Sequence, residues 1–182
     1  MLPVGLLMIE HRIIERMISL MTLELKKITE ENKADPDFLS AALDFLKIYA
    51  DKCHHGKEED ILFTVLEQKS LAEEHKKMLK ELLEEHVASR KIVAVLTESA
   101  DKYAHADNFA LKDIAGNIQA LVQLYSQHIV KEDKVFFLPV MEYLSKQEQD
   151  KMIRDFRNFD RDFIHEVYKN TLKKWECKKS NS

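Results

Sequence analysis

Glycine and proline are scarce in this chain, with three of each in 182 residues. Tight turns and helix breaks draw on these two residues, so their rarity argues against many short elements and for long uninterrupted helices. Cysteine is nearly as rare. Cys53 and Cys177 are too few for a disulfide framework, which points to a reducing cytoplasm. Neither sign of charge dominates: 28 basic and 32 acidic residues are interspersed, for a formal net charge of -4. That leaves no basic patch able to track phosphates and excludes nucleic acid as the expected partner. No apolar run is long enough to span a bilayer. The opening Met1 to Ile9 run has no basic leader or cleavage signal, and Glu10, His11 and Arg12 interrupt it at once. The expectation is a cytoplasmic protein with no membrane partner. A hydrophobic content of 45% suffices for one domain with a proper core and leaves the oligomeric state open.

Apolar residues recur at helical spacing in five blocks. The first runs from about Val4 to Glu31 and is closed by Asn32, Asp35 and Pro36. The second covers about Pro36 to Gln68, with Asp35 as its cap. A tight connection at Lys69 to Ala72 leads to a third helix ending near Ser99, then a loop over Ala100 to Asn108. The fourth helix covers about Phe109 to Leu144. Ser145 with Glu148 forms a capping-box pattern opening a fifth helix to about Trp175, which carries Phe156, Phe159 and Phe163 at core spacing. No strand pattern is present. The expected fold is all-α: an up-down-up-down four-helix bundle over residues 1–144, a packed C-terminal helix over 145–176 and a tail over 177–182, together one domain.

A motif occurs twice along this frame. His55-x-x-x-Glu59-Asp60-x-x-Phe63 is followed by His128-x-x-x-Glu132-Asp133-x-x-Phe136. Four residues turn a helix through slightly more than one revolution, so each His and Glu share a face, offset by about 40°. Imidazole and carboxylate together suit iron, manganese or zinc, and inward carboxylates from two helices can bridge two ions. In an antiparallel bundle His11, His55, Glu59, His86, His128 and Glu132 all fall roughly 10 to 23 Å from the same end. Four helices thus bring histidine to one level.

Glu10-His11, the run Cys53-His54-His55-Gly56-Lys57-Glu58-Glu59-Asp60-x-Leu62-Phe63, Glu85-His86-x-x-x-Arg90 and His128-Ile129-x-Lys131-Glu132-Asp133 resemble the hemerythrin-like family of cation-binding proteins over essentially the whole chain. The resemblance implies a four-helix bundle holding a bridged non-haem di-iron centre, with manganese or zinc as alternatives. Carried over residue by residue, it implies His11, His55, Glu59, His86, His128 and Glu132 as ligands. The oxygen-carrying members resemble this chain on helices one, two and four but place two histidines one turn apart on helix three. Here the residues one turn from His86 are Leu82 and Arg90. Four imidazoles, two bridging carboxylates and a bridging oxygen then leave roughly two of twelve positions open on two six-coordinate ions. The implied ligands are O2, peroxide or NO, for redox sensing, scavenging or detoxification. Non-catalytic oxygen or iron storage, or an interaction module stabilised by metal, are the alternatives.

In helix four, His128-x-x-x-x-Asp133 matches the spacing of the oxygen carriers, so Asp133 competes with Glu132 as the bridge. Glu15 and Arg90, one turn beyond His11 and His86, are expected to pair beneath the metals, with Glu15 as the missing ligand, or both charges reaching solvent at the bundle rim, as the alternatives. His54 is rotated by about 100° from His55 and reads as structural, as do His75, His105 and His165. Cys53 reads as a thiol pointing away from the metal. Tyr125 is either a core aromatic or an outer partner of the site.

Overall fold

The protein, examined as a computed structural model, is described over residues 2–160 and 164–180. All regular structure among these residues is helical. Helix α1 (Val4–Glu31) ends where Asn32 takes a left-handed conformation (φ 53°), which asparagine tolerates better than most residues. Asp35 caps α2 (Pro36–Asp44), accepting hydrogen bonds from the amides of Asp37 and Phe38, with Pro36 in the first turn where a missing N–H costs nothing. The helix then continues without a break through two π-helical stretches, Phe45–His55 and Glu58–Phe63, into α3 (Thr64–Glu67). Helix α4 (Glu73–Ala104) and α5 (Ala110–Lys131) follow, and α5 runs on through a third π-helical stretch, Glu132–Phe136, into α6 (Phe137–Val140) and a 3-10 turn.

The C-terminal region departs from the expected single fifth helix. The Ser145–Glu148 capping box opens α7 (Lys146–Phe159) as the pattern predicts, but the helix stops at Asp160, whose side chain is drawn to Lys57, and α8 (Ile164–Ser180) starts anew. The expected core position Phe163 lies outside the described residues. The third helix also extends past Ser99 to Ala104, shortening the loop.

Helix α5 packs against α1 and α4, and the second helical segment contacts both as well. Helix α7 lies on the Glu58–Phe63 stretch, and α8 lies on α1, to which Glu176 is tied by Arg16, and on the second helical segment, where Tyr168 packs on Phe45 and Tyr49 and Trp175 on Phe38. The core forms two apolar clusters. One gathers Ile14, Met17, Phe38, Tyr49, Ile118 and Leu121, and the other Leu7, Leu62, Phe63, Leu82, Phe136 and Phe137. Along every long segment a histidine sits between the two: His11 follows Leu7 and precedes Ile14, and His86 follows Leu82. A polar layer is thereby sealed between two hydrophobic plugs.

Candidate metal centre

Two groups of side chains in this layer could each hold a metal ion: His55, Glu58, His86 and His128, and His11, His54, Glu58 and Glu132. Within each group the ligating atoms lie within 4.8 Å of one another, and every member is buried. Glu58 belongs to both, with Oε1 3.3 Å from His54 Nε2 and Oε2 3.4 Å from His86 Nε2. Glu132 also reaches both, its Oε2 lying 3.1 Å from His11 Nε2 and 3.2 Å from His128 Nε2. Two carboxylates therefore span the two groups, as a bridge between neighbouring cations requires.

The backbone explains how one helix supplies two adjacent histidines. In a π-helix each N–H bonds a carbonyl five residues back, so consecutive residues are separated by less than the ~100° of an α-helix. His54 and His55 end the first π-helical stretch and both turn inward, their ring centroids 5.8 Å apart. Glu58 and Glu132 each open a further stretch. Such insertions concentrate at functional sites.

All five histidines are oriented alike. Each presents Nδ1 to an outer carboxylate: His11 to Asp133 at 2.7 Å, His54 to Glu10 at 2.9 Å, His86 to Glu59 at 2.7 Å, His128 to Glu85 at 2.8 Å and, more loosely, His55 to Asp51 at 3.4 Å. A ring that donates from Nδ1 keeps a bare lone pair on Nε2, and that atom faces the interior. The Nε2 atoms of His86 and His128 approach to 3.2 Å. The Nε2 atoms of His11, His54 and His55 and all four oxygens of Glu58 and Glu132 are buried without a hydrogen-bond partner among the described residues. Leaving such an atom unpaired costs about 1–3 kcal/mol. Seven together would rival the roughly 5–15 kcal/mol stability of an ordinary domain. The complement of an array of acceptors is a cation, so the donor set fits a metal.

Proton positions carry the same strain. Burial and the neighbouring Glu132 charge push Glu58 well above the usual carboxylate range. Burial also works against charging Glu132, but His128 and His11 overcome it and hold its pKa down to about 2. Burial disfavours a charged His11, yet the hydrogen bond to Asp133 and the adjacent Glu132 carboxylate outweigh it and raise its pKa to about 9. His54 and His55 are driven well below 6.5, by burial first and second by the neighbouring imidazoles of His11 and His86 respectively, with which a charged ring would compete. Without a metal, one proton on His11 and one on Glu58 stand in for positive charge.

Of the six residues expected to converge, His11, His55, His86, His128 and Glu132 do so. Glu59 does not enter either group. It accepts from His86 Nδ1 and from the Arg90 guanidinium at 2.7 Å, and Glu58 takes the interior place. Asp133 likewise lies outside, bound to His11 and Arg12, so Glu132 holds the inner position. His54, read as structural, is inside. The expected Glu15–Arg90 pair is absent: Arg90 binds Asp51 and Glu59, whereas Glu15 is 45% exposed and pairs with Arg12. Glu15 belongs to neither group. Tyr125 is buried with its ring parallel to His55, centroids 6.1 Å apart. Cys53 points to Asp160.

The motif repeats one residue away from the register first read. His54-x-x-Lys57-Glu58-Glu59-x-x-Leu62-Phe63 aligns with His128-x-x-Lys131-Glu132-Asp133-x-x-Phe136-Phe137, matching the lysine, the acidic pair and the apolar pair together. Glu10-His11 and Glu85-His86 complete the repeat. Contacts follow it: Glu10 binds His54 and Lys57, and Glu85 binds His128 and Lys131. Where the first half has His55 and Asp51, the second has Ile129 and Tyr125. One group consequently holds three histidines and the other two.

An all-helical protein with a buried histidine–carboxylate layer of this kind belongs to the class of helical cation-binding proteins. The family model described as Hemerythrin HHE cation binding domain matches residues 2–137 and 77–179, and the chain belongs to that family. Comparison with curated proteins and with solved structures gave no match.

Proposed function

We propose that the chain is one up-down-up-down four-helix bundle with its C-terminal helices packed outside, holding two iron ions, and that it reacts with O2 or a related small oxidant such as peroxide or NO. The observation that carries this reading is the all-acceptor layer of five imidazoles and two spanning carboxylates, each member at most 1% exposed. His55, His86 and His128 would hold one ion, His11 and His54 the other, with Glu58 and Glu132 common to both. A pair of iron ions would supply the electron changes that small oxidants require. Manganese suits the same donors, and zinc would compete for them in a protein made with excess zinc.

The chain's own residues do the rest. The five outer carboxylates keep each imidazole in one tautomer and orientation, and Arg12, Lys57, Arg90 and Lys131 neutralise those carboxylates in turn. The Phe63, Phe136 and Phe137 layer on one side and Tyr49 and Tyr125 on the other exclude bulk water. Burial on this scale admits ligands of a few atoms only. Adding His54 to the donor set lowers the count of open positions from roughly two of twelve to one. The open position would fall in the two-histidine group, beside His11 and His54. Reversible oxygen carriage is the second reading, and the fifth inward imidazole, His54, is the observation favouring it.

Metal analysis combined with optical spectra of the anaerobically reduced and then air-exposed protein tests both. Two irons per chain and a visible absorption that appears with air support the centre. Loss of that band under vacuum would indicate carriage, and its irreversible decay would indicate turnover. A single tightly held ion would sink the binuclear reading.

A further inference from the structure

Lys57 and Lys131 occupy matching places in the two halves, each binding the carboxylate that supports a histidine, yet their surroundings differ. Lys131 and its partner Glu85 are 24% and 28% exposed, whereas Lys57 and Glu10 are 1% and 3% exposed. The difference is made by Phe159 and Asp160 at the end of α7 and His165 at the start of α8, which lie on the Lys57 half. Asp160 takes the Lys57 ammonium together with Glu10 and accepts from the Cys53 thiol at 3.4 Å. His165 bridges Asp160 Oδ2, at 3.1 Å, and the Tyr49 hydroxyl, at 2.9 Å. Phe159 seats on Gly56, so closely that a Cβ there would meet its ring at 2.8 Å.

We infer that Lys57 and Asp160, the residue at which α7 ends, are positioning residues for the two-histidine half, acting on His54 through Glu10. This rests on the binuclear reading above. Lys57 holds Glu10 by Oε1, leaving Oε2 to fix His54 Nδ1 at 2.9 Å. A buried ammonium requires its carboxylates, and Glu10 alone would be drawn toward Lys57 from whichever side it settled. Asp160, bound to the same ammonium, divides that pull. The chain Asp160–Lys57–Glu10–His54 is therefore continuous from the protein surface to the cluster and sealed from solvent at its middle, whereas the matching chain Glu81–Lys131–Glu85–His128 is open to solvent as far as Glu85, where its charges are screened.

Cobalt(II) titration of the metal-stripped protein, followed by visible absorption and with helicity checked by circular dichroism, tests this. Wild-type protein takes up two ions. Lys57→Met and, separately, Asp160→Ala are expected to keep one ion at its original affinity and spectrum while the other weakens about ten- to hundredfold, the usual effect of losing an outer support. Lys131→Met is expected to weaken an ion by at most about fivefold, the most that a solvent-exposed pair contributes. Should Lys57→Met fail to fold, Asp160→Ala, at a position 21% exposed, decides alone. Two ions held in Asp160→Ala as in the wild type, or equal losses in Lys57→Met and Lys131→Met, would overturn the inference while leaving the binuclear reading intact. A wild type that takes up one ion would overturn that reading and this inference with it.

Discussion

Glu58 and Glu59 are adjacent, chemically identical and placed in opposite roles. Glu58 is fully buried between the histidines, and burial raises its pKa, so a cation is needed to keep it charged. Glu59 lies at the edge, where burial works against its charge but His86 and Arg90 overcome it and lower its pKa. Glu58→Ala is expected to lose at least one ion after desalting, because it removes a donor from both groups. Glu59→Ala is expected to retain two ions with affinity reduced about 10- to 100-fold, because only the support of His86 is lost. Asp60→Ala, at an exposed position, should leave metal content unchanged. Quantifying metal in the three variants checks the assignment, and equal retention in Glu58→Ala and wild type would refute it.

At the scale of elements, periodicity located the long helices because their apolar faces are continuous, and the caps at Asp35 and Ser145 were legible because their side chains bond the backbone locally. Glu58 and His54 were not, because the reading assumed α-helical rotation through a segment that is π-helical. Exchange of i→i+4 for i→i+5 bonds leaves no compositional mark. The register of the repeat could have revealed it, since Lys57 and Lys131 align only with Glu58 opposite Glu132. The split at Asp160 was also hidden, its partner Lys57 being distant in sequence. Gly56 offers a test of that packing. Glycine-to-alanine inside a helix ordinarily gains roughly 1 kcal/mol. Here the added methyl must displace Phe159, and overpacking costs typically about 1–3 kcal/mol. Gly56→Ala is therefore expected to lower the urea midpoint in the wild-type background and to raise it when Phe159 is replaced by alanine. The same sign in both backgrounds would mean that α7 does not press on this turn.

For the whole molecule, the centre sits between two apolar clusters and ties every long segment together, so metal and fold are linked through protons. In the metal-free protein His11 has its pKa raised from 6.5 to about 9. A raised pKa means that the folded state binds the proton more tightly than the unfolded chain. That stabilisation is complete below pH 6.5 and is lost as the pH climbs toward 9, by on the order of 3 kcal/mol. Glu58, raised well above 4.5, acts in the same sense. His54, His55 and His86 have lowered pKa values, so their contribution is present above pH 6.5 and is lost as the pH falls below it. The thermal midpoint of the metal-free protein should thus peak near pH 6.5 and fall on both sides. A bound ion replaces the protons on His11 and Glu58, so the loaded protein should keep its midpoint from pH 6.5 to 9 and release protons on loading, seen as a binding enthalpy that varies with buffer ionisation heat. In metal-free His11→Gln the alkaline decline should shrink while the acid decline persists. An alkaline decline of undiminished size in that variant would show that the proton on His11 does not balance the buried carboxylates.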